Sequence, residues 1–287
     1  MWQEYVRLIV LGIVQGISEF LPISSDGHLV IANAILRYGL GLQESQDGLA
    51  TVVTLHVGTL LAILIVYAHD IRQTLKNWRL CAQIVLATIP AAVVGLTLKD
   101  WFDEAFDSPV IAGLGLFVTA ALLFAAQWLE SEKFDDQHLP WIVAWVIGCF
   151  QALALLPGVS RSGCTISSAL MTGVDRMSAA RFSFLIAIPA TLGAIVLEGK
   201  DMLESPPPGM QWGPLLVGTV VAFVVGLGAL RLLLRLLAKR RLHWFAIYCC
   251  LLGTATLIWQ LRPGEGEPVR EGMPPTTVMI APIIRQS

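Results

Sequence analysis

Gln15-Gly16-Ile17-Ser18-Glu19-Phe20-Leu21-Pro22-Ile23-Ser24-Ser25-Asp26-Gly27-His28 is echoed later in the chain by Gln151-Ala152-Leu153-Ala154-Leu155-Leu156-Pro157-Gly158-Val159-Ser160-Arg161-Ser162-Gly163. A shift of 136 positions lays Gln15 on Gln151, Ser24 on Ser160 and Gly27 on Gly163. Each stretch breaks a long apolar run with proline, glycine and hydroxyl side chains. Pro22 and Pro157 cannot continue a helix, and the serines that follow are helix-capping residues. Regions 4–37 and 141–173 therefore read as two half-length helices each, with a turn between. Non-helical backbone at membrane depth is tolerated only when buried in protein or lining a wet cavity, so both regions are expected to be re-entrant pairs.

The surrounding sequence supports a membrane setting. Of 287 residues, 55% are hydrophobic and 14% charged, against roughly 25% charged in soluble domains, and the mean hydropathy is +0.70. Six runs approach the roughly 20 residues that span a bilayer as helix: 50–69, 80–98, 110–129, 182–198, 213–235 and 243–261. The 136-residue shift sends the first three to 186–205, 216–234 and 246–265, each onto a later span. The expected fold is an all-α polytopic membrane protein with six transmembrane helices and two re-entrant pairs. Residues 1–135 form the first repeat, 136–262 the second, and 263–287 a polar tail. Three crossings per half is odd, so the second repeat starts on the opposite face. This is an inverted-topology repeat, whose site belongs at the interface of the halves.

Lys and Arg in short loops set orientation. Segments 70–79 (Arg72, Lys76, Arg79), 174–181 (Arg176, Arg181) and 235–243 (Arg235, Lys239, Arg240, Arg241) share one face. The other face carries Asp100, Asp103, Glu104, Asp107 and the proline-rich segment 199–212. The basic face is expected in the cytoplasm, with both termini outside. The acidic loop 130–138 runs against that trend. No cleavable signal peptide is evident: the first apolar run is long and holds Glu19. Most of the nine tryptophans lie near run ends, where interfacial anchors belong. A net charge of −2 and the lack of a basic stripe exclude nucleic acid as an expected partner. Cys81, Cys149, Cys164, Cys249 and Cys250 have no CxxC spacing and read as small apolar filler.

Ionisable groups at membrane depth are costly and mark function. Glu19 is one, with Gln15 four residues earlier on the same helical face. Gln15 could offer an amide oxygen to a cation or a substrate. Ser24, Ser25 and Asp26 suit caps as well as chemistry. His28 stands about one turn into the second half-helix, close to Glu19 if the two halves pack as a hairpin, where acid–base or nucleophilic work is open to it. Arg161, between Ser160 and Ser162 at the mouth of a half-helix, has the planar fork that suits phosphate. The free N–H groups of that helix start, near Gly163, add to the attraction. A structural ion pair with Glu19 is the competing role. His56, Thr59 and Arg181 are weaker candidates, equally suited to packing or anchoring.

These motifs resemble the undecaprenyl-pyrophosphate phosphatases of the bacitracin-resistance type: Gln-Gly-x-x-Glu-Phe-Leu-Pro-x-Ser-Ser-x-Gly-His, then Pro-Gly-x-Ser-Arg-Ser-Gly-x-Thr-Ile. The resemblance runs to about residue 262. It implies a hydrolase of the bacterial cytoplasmic membrane that removes the terminal phosphate of undecaprenyl diphosphate, a C55 prenyl lipid, so that undecaprenyl phosphate returns to cell-wall synthesis. It also implies a divalent cation, Mg2+ or Ca2+, at Glu19 and Gln15. Ser25 and His28 fall on the family's catalytic serine and histidine, and Arg161 on its phosphate-binding arginine, with Ser24, Ser160, Ser162 and Gly163 around the phosphate. Many members carry a carboxylate where this chain has Gln15, which puts a two-carboxylate metal site in doubt. The nucleophile stays open among Ser25, a water and His28, and a homodimer is left open. The competing class is a transporter or flippase for an anionic lipid or solute, which would use the same arginine and half-helices. The other membrane lipid phosphatases, with Ser-Gly-His and Arg-x6-Arg-Pro patterns, are set aside because this chain has Asp-Gly-His.

Overall fold

A helix in a bilayer satisfies its own backbone, and the chain uses little else. The computed structural model describes residues 2–41, 48–98, 108–136, 138–204 and 210–260. Among them are eleven helices: α1 (Trp2–Ser18), α2 (Ser25–Leu40), α3 (Gly48–Val66), α4 (Ala68–Thr74), α5 (Trp78–Thr97), α6 (Pro109–Leu129), α7 (Trp141–Leu153), α8 (Arg161–Met171), α9 (Arg176–Glu204), α10 (Trp212–Ala238) and α11 (Leu242–Gln260). Five of these, α5, α6, α9, α10 and α11, are long and apolar enough to cross a membrane. The bent pair α3–α4 makes a sixth if taken as one span. The acidic run 100–107 and the polar tail lie outside the described residues.

Both broken regions appear as helix pairs. The α1–α2 pair closes as a hairpin, with the Arg7 Nη2 donating to Asn33 Oδ1 at 3.4 Å. At 1.5 Å per residue, the 17 residues of α1 carry the chain roughly 26 Å to the break. Ser24 restarts it, its Oγ accepting from the Gly27 N–H, and Ser160 restarts α8 by accepting from the Gly163 N–H.

Elements that the 136-position shift relates make matching contacts. α1 packs along α10, and α7 packs along α5. In both pairs a glycine permits the approach. A methyl group on Gly12 would lie 2.6 Å from the Gly218 carbonyl oxygen, and one on Gly148 would lie 2.5 Å from that of Ala87. Gly12 and Gly148 are themselves 136 positions apart.

Several boundaries differ from the sequence reading. The first span ends at Val66 and turns by 73° into α4, so Arg72 sits on a short helix rather than in a loop. α9 begins at Arg176 and ends at Glu204, absorbing both the basic segment 176–181 and part of 199–212. Charged residues at helix ends hid these extensions, because hydropathy marks the apolar stretch and not the helix.

The basic segments do share a face, and the acidic loop 130–138 is explained there. Glu130 pairs with Arg176, and also with Arg240 at 3.5 Å. Glu132 takes Arg240 at 3.2 Å. Arg181 joins Asp70 at 2.9 Å and Asp136 at 2.8 Å. The loop supplies the counter-charge that buried Arg176 requires, and adds one each to Arg181 and to the exposed Arg240. Arg181 is thus part of the loop scaffold. On the outer surfaces of the spans, Val85, Ile89 and Val93 of α5, Val110, Leu114 and Val118 of α6, and Leu216, Val220 and Val224 of α10 form exposed stripes one helical turn apart. Trp2, Trp78, Trp141 and Trp212 each open a helix.

Candidate active site

The two breaks meet. Gly27 of the first lies against Gly158 of the second, where a methyl group on Gly27 would sit 3.5 Å from the Gly158 Cα. Ser162 Oγ donates to the Leu21 carbonyl at 3.2 Å across the same seam. Each break carries backbone in the left-handed region, Ser24 at φ 72° and Gly158 at φ 81°. A non-glycine residue there costs on the order of 1–3 kcal/mol, and Ser24 is held by three bonds. Its Oγ caps Gly27, and its carbonyl accepts from the His28 N–H at 3.3 Å and from the ring Nδ1 at 2.6 Å.

Glu19 is the hub. It is buried at 8% exposure, and its carboxylate is met by three hydrogen-bond donors and an imidazole. Gln15 Nε2 donates to Oε2 at 3.1 Å, Ser25 Oγ donates to Oε2 at 2.8 Å, and Arg161 Nη2 donates to Oε1 at 2.5 Å. His56 Nε2 stands 3.7 Å from Oε2, its Nδ1 turned to the Val52 carbonyl at 2.9 Å. Asp26 lies within electrostatic reach of Glu19, His56 and Arg161. Residues 142 positions apart are thereby joined by one carboxylate. Charge-assisted bonds of this kind are roughly twice as strong as neutral ones.

Unused polar atoms remain in this cluster. Arg161 Nη1 and Gln15 Oε1 are both buried without a hydrogen-bond partner. A guanidinium nitrogen and an amide oxygen, both desolvated, are what a phosphate oxygen and a cation would satisfy. Among the described residues no three His, Cys, Asp or Glu side chains are arranged to hold a metal by themselves. Glu19 and the free Gln15 Oε1 are the oxygens of this cluster that could hold a hard cation, with Glu19 Oε1 and Oε2 shared with the donors already on them.

The remaining expected site residues shape the backbone. Ser160 Oγ is spent on Gly163, whose N–H is therefore taken, and lies 3.2 Å from Ser162 Oγ. Ser24 is a cap. His28 does not join Glu19: its Nε2 is bonded to Tyr248 Oη on α11 at 2.7 Å, and among the described residues the imidazole beside Glu19 is that of His56.

Sequence reasoning missed the cradle of the second break. Thr119, on α6 and fully buried, accepts from the Ser160 N–H at 2.8 Å and donates toward the Gly158 carbonyl at 3.3 Å. A methyl group on Gly158 would fall 1.9 Å from the Ala112 carbonyl oxygen, and one on Gly115 would fall 2.2 Å from that of Pro157. The signal was present as small residues at 112, 115 and 119, spaced along one face of the span. Tyr248, alone in an apolar run, gave no such pattern.

Known proteins are similar to the chain over most of its length. Residues 8–255 match the family described as bacitracin resistance protein BacA. A protein of Rhodopirellula baltica named undecaprenyl-diphosphatase is 44% identical over 262 residues, covering 91% of this chain and 100% of its own length. Proteins of the same name from Alkaliphilus metalliredigens and Syntrophotalea carbinolica are 38% and 40% identical. They cover 89% and 87% of this chain and 98% and 97% of their own lengths. The extent of the match and the two breaks joined at Glu19 and Arg161 place the chain in the bacitracin resistance protein BacA family.

Proposed function

We propose that this chain is an integral membrane phosphatase that hydrolyses undecaprenyl diphosphate to undecaprenyl phosphate and inorganic phosphate, returning the lipid carrier to cell-wall synthesis. The observation that carries the reading is the line of contacts from Ser25 Oγ through Glu19 to Arg161. It sets a hydroxyl against a carboxylate base beside a guanidinium with a free buried N–H. A transporter would need the guanidinium but not the hydroxyl–carboxylate pair, and relatives named undecaprenyl-diphosphatase favour the enzyme.

In this reading Arg161 binds the terminal phosphate through Nη1 and steadies the charge that builds on its oxygens. Ser25 Oγ bonds to the terminal phosphorus as the bond to the bridging oxygen breaks, and the electron pair leaves on undecaprenyl phosphate. The serine proton passes to Glu19 and on to solvent. Water then attacks the phosphoserine. One of its protons restores the serine hydroxyl by way of Glu19, and the other leaves with inorganic phosphate. His28, one turn along α2, serves proton transfer near the same phosphates. A divalent cation, Mg2+ or Ca2+, held by Glu19 and Gln15 would add Lewis-acid stabilisation of phosphate charge.

The finer architecture belongs to the same proposal. Residues 1–135 and 136–262 form two inverted repeats, each a re-entrant pair followed by three crossings. The matched packing of α1 on α10 and α7 on α5 supports it. The basic face lies in the cytoplasm of a bacterial cell and both chain ends outside the inner membrane, as the positive-inside rule directs. Acid-quenching the purified protein on substrate labelled in the terminal phosphate tests the mechanism. Label should remain on wild-type protein and be absent from Ser25→Ala. Label-free wild type during turnover would replace serine attack by a Glu19-activated water.

A further inference from the structure

We infer that Tyr248 is a positioning residue for His28, fixing the direction of its ring through the phenol hydroxyl and exchanging protons with Nε2 along that bond. The inference rests on the phosphatase reading, which gives His28 a proton-transfer task.

In the neutral ring the hydrogen bonds leave one arrangement. His28 Nδ1 lies 2.6 Å from the Ser24 carbonyl, which can only accept, so Nδ1 carries the ring proton. Nε2 then presents a lone pair, and Tyr248 Oη at 2.7 Å is the donor. The two rings also stack, with centroids 5.6 Å apart and planes 15° apart. Second-partner bonds of this kind fix the tautomer and orientation of an imidazole.

The location argues against a bond of convenience. Tyr248 is 220 positions from His28 and belongs to the last helix, α11. Trp244 and Leu251, one turn to either side, are more exposed, at 60% and 67%, than Tyr248 at 41%. The next residue, Cys249, is fully buried with Sγ 3.7 Å from the Pro22 carbonyl. Consecutive residues of α11 therefore brace both ends of the segment from Pro22 to His28, which holds Ser24 and Ser25. A hydroxyl suits the task chemically. It donates to a neutral Nε2 and, after rotation, accepts from a protonated one, so one side chain holds the ring before and after a proton moves.

The experiment is a double-mutant cycle on the detergent-purified full chain with undecaprenyl diphosphate. Tyr248→Phe keeps the stacked ring and removes the hydroxyl. It should lower kcat about 2- to 12-fold, the value of one net hydrogen bond, with KM unchanged. In the His28→Ala background, Tyr248→Phe should have no further effect within about twofold. Nitrogen-15 NMR of labelled histidine gives a readout independent of turnover. Wild type should show His28 as the Nδ1–H tautomer with its Nε2 resonance shifted by the phenol hydrogen bond, and Tyr248→Phe the same tautomer without that shift. Wild-type kcat in Tyr248→Phe, or a double variant that falls by the product of the single effects, would overturn the inference while leaving the phosphatase reading intact. Full activity in His28→Ala would overturn both the inference and the role given to His28. No phosphate release from wild type would show instead that the underlying reading had failed.

Discussion

Arg161→Lys keeps the charge and removes the fork. In the structure one guanidinium nitrogen, Nη2, is committed to Glu19 Oε1 at 2.5 Å, and the other, Nη1, is buried and free for phosphate. A lysine ammonium is one point on a flexible stem. It can meet Glu19 or the phosphate well, not both in the same fixed geometry. The loss is one charge-assisted hydrogen bond, about 1.5–3 kcal/mol. At about 1.4 kcal/mol per tenfold, kcat/KM should fall roughly 10- to 150-fold. The ion pair that joins the halves keeps its charge, so the variant should insert, purify and melt much as wild type does. The assay is inorganic phosphate release from undecaprenyl diphosphate in detergent, with full Michaelis curves, because a loss in KM alone would mean that Arg161 holds ground state and transition state equally. Turnover within twofold of wild type would refute the two-nitrogen argument and remove Arg161 from the site.

Glu19→Gln should lower the rate roughly 10²–10⁴-fold by removing the base. In chelator it should bind inorganic diphosphate more tightly than wild type, because Arg161 is no longer neutralised. Weaker binding on calorimetry would mean that Glu19 serves substrate rather than competes with it. Gln15→Glu should raise apparent cation affinity in activity titrations, and unchanged affinity would take position 15 out of the cation site. Gly158→Ala should fail to fold or melt far below wild type, since the added carbon would meet the Ala112 carbonyl at 1.9 Å; a normal melt would contradict the cradle. In a background without native cysteines, Lys76→Cys and Lys239→Cys should be shielded from an impermeant thiol reagent in intact cells and Gln211→Cys labelled, the reverse pattern inverting the orientation.

Much of the frame was legible because apolar runs and their breaks are one-dimensional signals. Pro22 and Pro157 mark the breaks, and Gln15 and Gln151 mark the echo between them. Glu19 and Arg161 stood out because charge at that depth demands a partner, and each proved to be the other's. The bend at Tyr67 was not legible, since the apolar run ends there and the polar stretch 69–74 beyond it reads as a loop rather than a helix. His28 was placed beside Glu19 on hairpin reasoning, but ring direction depends on α11, a helix 220 positions away. His56 reached the carboxylate because α3 lies against α1, and neighbouring helices cannot be read from one helix's pattern. Thr119 is a hydroxyl that looks like filler until the turn it cradles is seen.

The central claim is that the hydroxyl–carboxylate pair at the joined breaks performs phosphate transfer rather than mere anion binding. The direct measurement is phosphate release from undecaprenyl diphosphate by detergent-purified wild type and Ser25→Ala, with divalent cation present and no membrane across which anything could be transported. The account predicts steady release by wild type and a loss of roughly 10²–10⁴-fold in Ser25→Ala, with lipid binding retained. Equal release by the two proteins would contradict the role of Ser25, and no release by folded wild type would contradict the enzyme.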